Sequence, residues 1–403
     1  MGEDAGGPVI SCVFAPSLDT PAHIELAERL GYRRAWCYDS PAIYADPWMV
    51  LAAAAGRTRA IGLGPATLVP SLRHPVVTAA ALATLAGLAP GRVSTAFGTG
   101  LTGRMLLGER PMRWAAVEEY VRTVRALLRG EEASWNGSLV RLSQPAGFAA
   151  GRPADIAVLI AADGPRGRAV AAELGDGVLT TRAPRASRVP GVTRVPGVTR
   201  ASGAPAGEVK RQVLLAFGTV LDEGEDPASP RAIAAAGPAL AAAYHAGYES
   251  KGADGVDALP GGRAWREAVE AVEPSRRHLA IHDGHLLALG RHDEALLASA
   301  APLLAKWTMT GARADVGARL RALSSAGITE IAYQPMGPHI PRELAAFAEA
   351  AGSTAAGSTA AGSTVTGSTV AGSTATGSTV AGSTAAGSTA AAAGPAGTRA
   401  GGT

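Results

Sequence analysis

The chain has 403 residues, 47% of them hydrophobic, enough for a large core in one domain or in two ordinary ones. Its net charge is only +3, from 37 Lys and Arg against 34 Asp and Glu, which argues against a nucleic-acid or anionic-membrane partner. Cys12 and Cys37 are too few for a disulfide framework, no apolar stretch reaches the roughly 18 residues of a membrane span, and no basic region leads into an apolar run at the N-terminus, so a cytoplasmic protein with reduced thiols is expected.

Val9–Ala15 is apolar and β-branched and stops at Pro16, as a strand does. Pro21–Leu30 places Ile24, Leu26, Ala27 and Leu30 at helical spacing among charged residues, with Thr20 as the expected N-cap and Pro21 at the first helical position. Arg34–Tyr38 reads as a strand, Trp48–Ala55 as a helix, and Ala60–Val69 as a strand interrupted by Gly62, Gly64 and Pro65. Val76–Leu88 is an apolar helix ended by Pro90 and Gly91. Val93–Phe97 follows as a strand, Trp114–Leu128 as a long amphipathic helix, and Ser134–Leu142 as a hairpin turning at Asn136-Gly137. Then come a strand at Ile156–Ala162, a helix at Gly164–Leu174, and strands at Val178–Thr181 and Gln212–Leu221. A long helical region runs to about Gly317, before a strand at Ile328–Gln334 and a helix at Pro341–Ala350.

Short apolar strands alternating with helices imply a parallel sheet. Eight of them predict an α/β fold, a (β/α)8 TIM barrel, with residues 222–317 as a helical insertion before the last strand; a doubly wound open sheet is the alternative that periodicity leaves open. Residues 182–207, which carry RVPGVT twice, read as a surface loop. From Gly352 the triplet GST plus two small residues repeats eight times; such a segment cannot bury enough apolar area to offset its ordering entropy. The expected organisation is a barrel over 1–351 and a disordered tail over 352–403.

In such a barrel the chemistry sits at the C-terminal ends of the strands. Those ends carry Tyr38-Asp39-Ser40, Ala66-Thr67 with Arg73-His74-Pro75 beyond, Gly98-Thr99-Gly100, Ala162-Asp163-Gly164 and Gln334-Pro335. Glycine there lets backbone approach a flat ring or phosphate. Gly98 to Gly103 matches G-x-G-x-x-G, but three strand–helix units precede it, no helix is expected directly after it because Gly108 and Pro111 intervene, and no acidic residue closes a following strand, all of which weigh against a dinucleotide fold. Trp36, Tyr38, Tyr44 and Trp48 either wall an apolar pocket or pack the barrel end. His278, His282 and His285 lie close in sequence, but a metal site needs a further ligand and a rigid frame, so surface or substrate-lid histidines and no metal are expected.

The stretch Ala60–Gly130, with R-H-P at 73–75, A-x-x-T-L-x-x-L-x-x-G-R ending at Arg92, and G-T-G at 98–100, resembles the bacterial luciferase-like family, especially its deazaflavin-dependent branch. A-A-D-G-P at 161–165 and E-L-G-D-G-V at 173–178 extend the likeness. The resemblance implies an oxidoreductase that transfers hydride between a deazaflavin (coenzyme F-420) and a small organic substrate. The alternatives are an FMN-dependent monooxygenase using molecular oxygen and a barrel that binds a cofactor without catalysis. It further implies Asp39 and His74 as catalytic candidates, a non-prolyl cis bond between Ala66 and Thr67, and cofactor contacts from Ala66, Thr67, Gly98, Thr99, Gly100, Ala162, Asp163 and Gly164. Ser40 stands where relatives often have histidine, and Leu101 where one relative has a catalytic glutamate, which argues against a sugar-phosphate substrate. A basic track of Arg73, Arg104 and Arg166 would suit the acidic tail of the deazaflavin. A homodimer is admitted as a partner.

Overall fold

The computed structural model describes residues 9–183 and 211–352, so most of the 182–207 loop and nearly all of the 352–403 tail lie outside the described residues. In chain order the elements are β1 (Ile10–Phe14), α1 (Thr20–Arg29), β2 (Arg34–Cys37), α2 (Pro47–Arg57), β3 (Gly62–Pro65), α3 (Pro75–Leu88), β4 (Ser94–Phe97), α4 (Leu101–Met105) and α5 (Trp114–Arg129). Next come β5 (Ala133–Trp135), β6 (Ser138–Val140), β7 (Ala157–Ala161), α6 (Pro165–Leu174), β8 (Gly177–Thr180), β9 (Gln212–Phe217), β10 (Val220–Leu221) and α7 (Pro230–Lys251). The chain continues through α8 (Gly262–Glu270), α9 (Arg277–Ile281), α10 (Arg291–Ala300), α11 (Leu304–Trp307), β11 (Gly311–Ala312), α12 (Arg313–Ser325), β12 (Glu330–Gln334) and α13 (Ile340–Ala350).

Eight strands form one parallel sheet in the order β3-β2-β1-β12-β9-β8-β7-β4. Parallel bridges at Leu63–Val93 and Leu68–Phe97 join the two end strands, so the sheet closes into the expected barrel. Side chains alternate across each strand. Val13, Trp36, Ala96, Leu159, Leu179, Val213, Leu215 and Ala332 fill the interior. Their neighbours Cys12, Cys37, Phe97, Ile160, Leu214 and Ile331 pack outward under the helices. With both faces covered, the strands read as continuous apolar runs rather than alternating ones.

At the start of β12 the interior holds a buried charge. Glu330 meets Arg34 at 2.9 Å and Arg211 at 2.8 Å, and both guanidinium groups lie over the Trp36 ring, 5.4 and 5.8 Å from its centroid. Burial alone would raise the Glu330 pKa, but the two arginines hold it below the ordinary carboxylate range.

The insertion has its own core, built from Tyr244, Val256, Trp265, Val269, Leu296, Leu297 and Leu304. Its two ends run side by side, because Val220 of β10 pairs in parallel with Gly311 of β11. It is shorter than the expected 222–317: Val316, Leu320 and Leu323 of α12 belong to the barrel core. Two further expectations need correction. Asp19, not Thr20, occupies the N-cap of α1, and Thr20 Oγ1 instead accepts the Ser17 N–H at 2.9 Å. A helix does open after Gly100: the five residues of α4 fit before Gly108 can end them. Among the described residues no helix is long and apolar enough to cross a membrane.

Candidate functional site

The C-terminal strand ends enclose a cavity of about 260 Å³. Tyr38, Asp39 and Ser40 line it beyond β2, Thr67 and Val69 beyond β3, and Gly98 to Gly103 beyond β4. Ala161, Thr181, Leu215 and Phe217 complete the barrel side, and His285 and Leu286 reach in from the insertion.

Asp39 is held rigidly. Its Oδ2 lies 2.7 Å from Arg73 Nη1 and accepts the Val69 N–H at 3.3 Å. Arg73 also reaches Asp46, the N-cap of α2, at 3.2 Å and stacks 6.0 Å from the Trp48 ring centroid. Asp39 Oδ1 is buried and has no partner among the described residues. Burial pushes the Asp39 carboxyl above its usual range against the pull of Arg73. A buried acceptor without a donor is costly, and this one lies just behind the cavity that Asp39 borders.

The Ala66–Thr67 peptide bond is cis, as the resemblance implies. It divides the two residues: Ala66 packs in the barrel interior and Thr67 faces the cavity. The glycines opposite are required by protein packing. A Cβ on Gly98 would stand 2.6 Å from Thr67 Cγ2. Gly100 has φ +74°, and a Cβ there would stand 2.4 Å from Val69 Cγ1.

Other expected residues are placed elsewhere. His74 is exposed; it caps α3 through Nδ1, which accepts the Val76 N–H at 3.2 Å, and it does not line the cavity. Ala162 packs outward, since the alternation of β7 turns Ala161 inward instead. Asp163 is occupied with Thr180 Oγ1 at 2.6 Å and the Thr181 N–H at 2.9 Å, and Gly164 caps α6 in open space. Two of the three arginines of the basic track do not stand free either, because Arg73 pairs with two carboxylates and Arg104 with Glu109 and Ser71; Arg166 is exposed.

A lid role was among the expectations for His285, but the contacts that fasten this roof to the barrel were not foreseen. Tyr44 Oη donates to the His285 carbonyl at 2.7 Å, and Gln334 Nε2 donates to the Leu286 carbonyl at 2.9 Å. Gln334 Oε1 in turn accepts from Tyr38 Oη at 2.8 Å. Of the aromatic residues around β2, Tyr38 and Tyr44 therefore wall the pocket and tie the insertion across it, while Trp36 packs the barrel interior and Trp48 lies against Arg73. Burial beside His282 and His245 pushes His285 well below the usual histidine pKa, so its ring is neutral at pH 7. Cys12 and Cys37 are free, buried thiols with raised pKa values, consistent with inert packing.

A family model described as luciferase-like monooxygenase matches residues 16–330. An F420-dependent glucose-6-phosphate dehydrogenase of Nakamurella multipartita is 35% identical over 142 residues, which cover 34% of this chain and 41% of that protein. A 5,10-methylenetetrahydromethanopterin reductase of Archaeoglobus fulgidus is 31% identical over 165 residues, covering 39% of this chain and 47% of that protein. The chain thus spans about half the length of the curated relatives it matches. Among solved structures, the coenzyme F420-dependent tetrahydromethanopterin reductase from Methanopyrus kandleri superposes with a TM-score of 0.56 at 20% identity, over 86% of this chain and 98% of that one. An F420-dependent secondary alcohol dehydrogenase gives 0.54 at 17% identity, over 85% and 98%. These two share the fold.

Proposed function

The chain belongs to the luciferase-like monooxygenase family, and from that premise we propose that it is an oxidoreductase that holds a deazaflavin coenzyme at the barrel mouth and carries out hydride transfer with a small organic substrate. The observation that carries this reading is the cavity at the C-terminal strand ends, where Thr67, Gly98, Thr99 and Gly100 form a wall that a flat ring can approach closely. The cavity, about 260 Å³, is slightly smaller than the roughly 300–1,000 Å³ of ligand pockets, so it would take a ring system with the coenzyme's tail outside. Relatives that carry the same coenzyme in their names support the choice over FMN.

Thr67, Gly98, Thr99 and Gly100 would form the wall against the ring, and Asp39, immobilised by Arg73, would orient it. The coenzyme, when bound, supplies the carbon that gives or takes hydride. The protein excludes water through the roof at His285 and Leu286. Tyr38, Tyr44, Leu101, Leu215 and Phe217 make the remaining wall largely apolar, so the substrate is small and weakly polar rather than a sugar phosphate. Leu101 in place of an acid agrees with that. The same reading places the enzyme in the cytoplasm, where Cys12 and Cys37 stay reduced, and takes a homodimer as the state to seek by sedimentation.

The test is fluorescence quenching of the purified chain by the deazaflavin coenzyme and by FMN. Saturable binding of the deazaflavin, weakened in Asp39→Asn, is expected. Preference for FMN would move the reading to the oxygen-using monooxygenase, and binding of neither would remove the redox assignment.

A further inference from the structure

Behind the roof of the cavity, three imidazoles from two separate parts of the insertion converge. We propose that His245, His282 and His285 bind a divalent transition-metal ion, zinc being the best match, and that this ion pins the roof loop over the barrel mouth. The proposal does not depend on which cofactor the cavity takes.

One ring nitrogen of each histidine lies within 4.8 Å of those of the other two. The residues are 2%, 1% and 8% exposed. Each ring is held on its far side. His245 Nε2 is 2.9 Å from Asp293 Oδ1, Glu249 Oε1 is 2.6 Å from His282 Nε2, and Thr102 Oγ1 is 3.4 Å from His285 Nε2. That leaves Nδ1 as the inner nitrogen of His282 and His285 and as the open nitrogen of His245. Those of His282 and His285 are 3.4 Å apart, and that of His245 has no partner among the described residues.

An imidazole that gives its Nε2 proton to a carboxylate presents a bare lone pair at Nδ1. His245 is set up this way, and its bare lone pair beside the close Nδ1 atoms of His282 and His285 in a dry site calls for a cation. A single proton shared between His282 and His285 would satisfy that pair and leave His245 Nδ1 unmet. A metal ion meets all three. With Zn–N bonds of about 2.0–2.1 Å, a tetrahedral ion sets its ligand nitrogens roughly 3.3–3.4 Å apart, the spacing His282 and His285 already show. A carboxylate behind a ligating histidine is the usual outer support of such sites. Here there are two, and among the described residues neither Glu249 nor Asp293 has an arginine or lysine partner. Their combined charge balances a divalent ion.

The frame is rigid. Asp293 also accepts from Trp265 Nε1 at 2.9 Å and from the Gly290 N–H at 3.2 Å, and the His245 ring stacks on Trp265 with centroids 5.4 Å apart. All three ligands are nitrogens, which suits zinc and its neighbours and disfavours magnesium and calcium. The further ligand that residues 278–285 lack is therefore His245, on α7, while His278 stays outside the cluster. Because His285 and Leu286 line the cavity, the ion would join α7 and the 281–290 loop into one roof.

The test uses the full chain, stripped by chelator dialysis and titrated with Co²⁺, then with Zn²⁺. One equivalent of Co²⁺ should give the intense visible absorption of a tetrahedral site, Zn²⁺ should displace it, and the thermal midpoint should rise with either ion. His245→Gln should abolish the signal and Asp293→Asn should weaken affinity by ten- to a hundredfold, while His278→Gln binds as the parent does. Circular dichroism of each variant confirms that it is folded. A parent chain whose absorption and thermal midpoint ignore both ions overturns the proposal without recourse to any variant, and so does unaltered binding by folded His245→Gln.

Discussion

Replacing Asp39 tests the centre of the site, and its cost can be worked from the geometry. The side chain of Asp39 is fully buried and that of Arg73 is 16% exposed. Asp39→Ala leaves the guanidinium without its main partner, and breaking a buried pair in this way costs about 3–5 kcal/mol. Arg73 keeps Asp46 at 3.2 Å and the Trp48 ring, so the low end, about 3 kcal/mol, is expected. Asp39→Asn keeps the shape and can still accept from Arg73 and the Val69 N–H, losing only the charge assistance, about 1 kcal/mol. Urea denaturation at pH 7 measures both. In a double-mutant cycle with Arg73→Met, the second substitution should cost much less once Asp39 is alanine. If Asp39→Ala unfolds within about 0.5 kcal/mol of the parent, or the cycle shows no coupling, the rigid pair described here is not what holds the site.

Further outcomes follow from the framework around the cavity. Glu330→Gln leaves Arg34 and Arg211 facing each other in the barrel and should cost about 3–5 kcal/mol by chemical denaturation. Because the folded pKa of Glu330 is depressed, its contribution is complete above the unfolded value of about 4.3 and is lost as pH falls through the folded one. Glu225 shares that window: burial would raise it, but Arg231, Ser229 and the Asp222 N–H hold it down to about 2. Stability measured between pH 5 and pH 2 should therefore fall, and less steeply in Glu330→Gln; a variant with the parent's slope would contradict this. Gly100→Ala combines a positive φ with a Cβ 2.4 Å from Val69 Cγ1 and should cost about 2–4 kcal/mol and weaken coenzyme binding. Gly164→Ala, with φ −97° and open space around it, should stay within about 0.5 kcal/mol by the same denaturation assay.

The barrel was legible because its signals are local. Apolar runs bounded by glycine and proline mark each strand, and 3.6-residue spacing marks helices such as α5, whatever lies elsewhere in the chain. The same holds for Asp39, Thr67, Gly98, Thr99 and Gly100: a residue at the C-terminal end of a barrel strand faces the mouth by construction. Locality also explains the errors. At β7 a shift of one residue exchanges inside for outside, so Ala161 lines the cavity where Ala162 was expected. His74 follows a strand end, but its backbone had already turned to start α3, and its ring serves as a cap.

What only the tertiary structure decided is what arrives from far along the chain. Nothing near Asp39 in sequence announces Arg73 as its partner, and nothing near Tyr44 or Gln334 announces the carbonyls of His285 and Leu286. His245 joins His282 and His285 because the separate core of the insertion folds α7 back against the loop after α9. Spacing along a chain records which face of one element a residue occupies; it carries no record of which other element will be packed against that face, and the roof of this cavity is made entirely of such contacts.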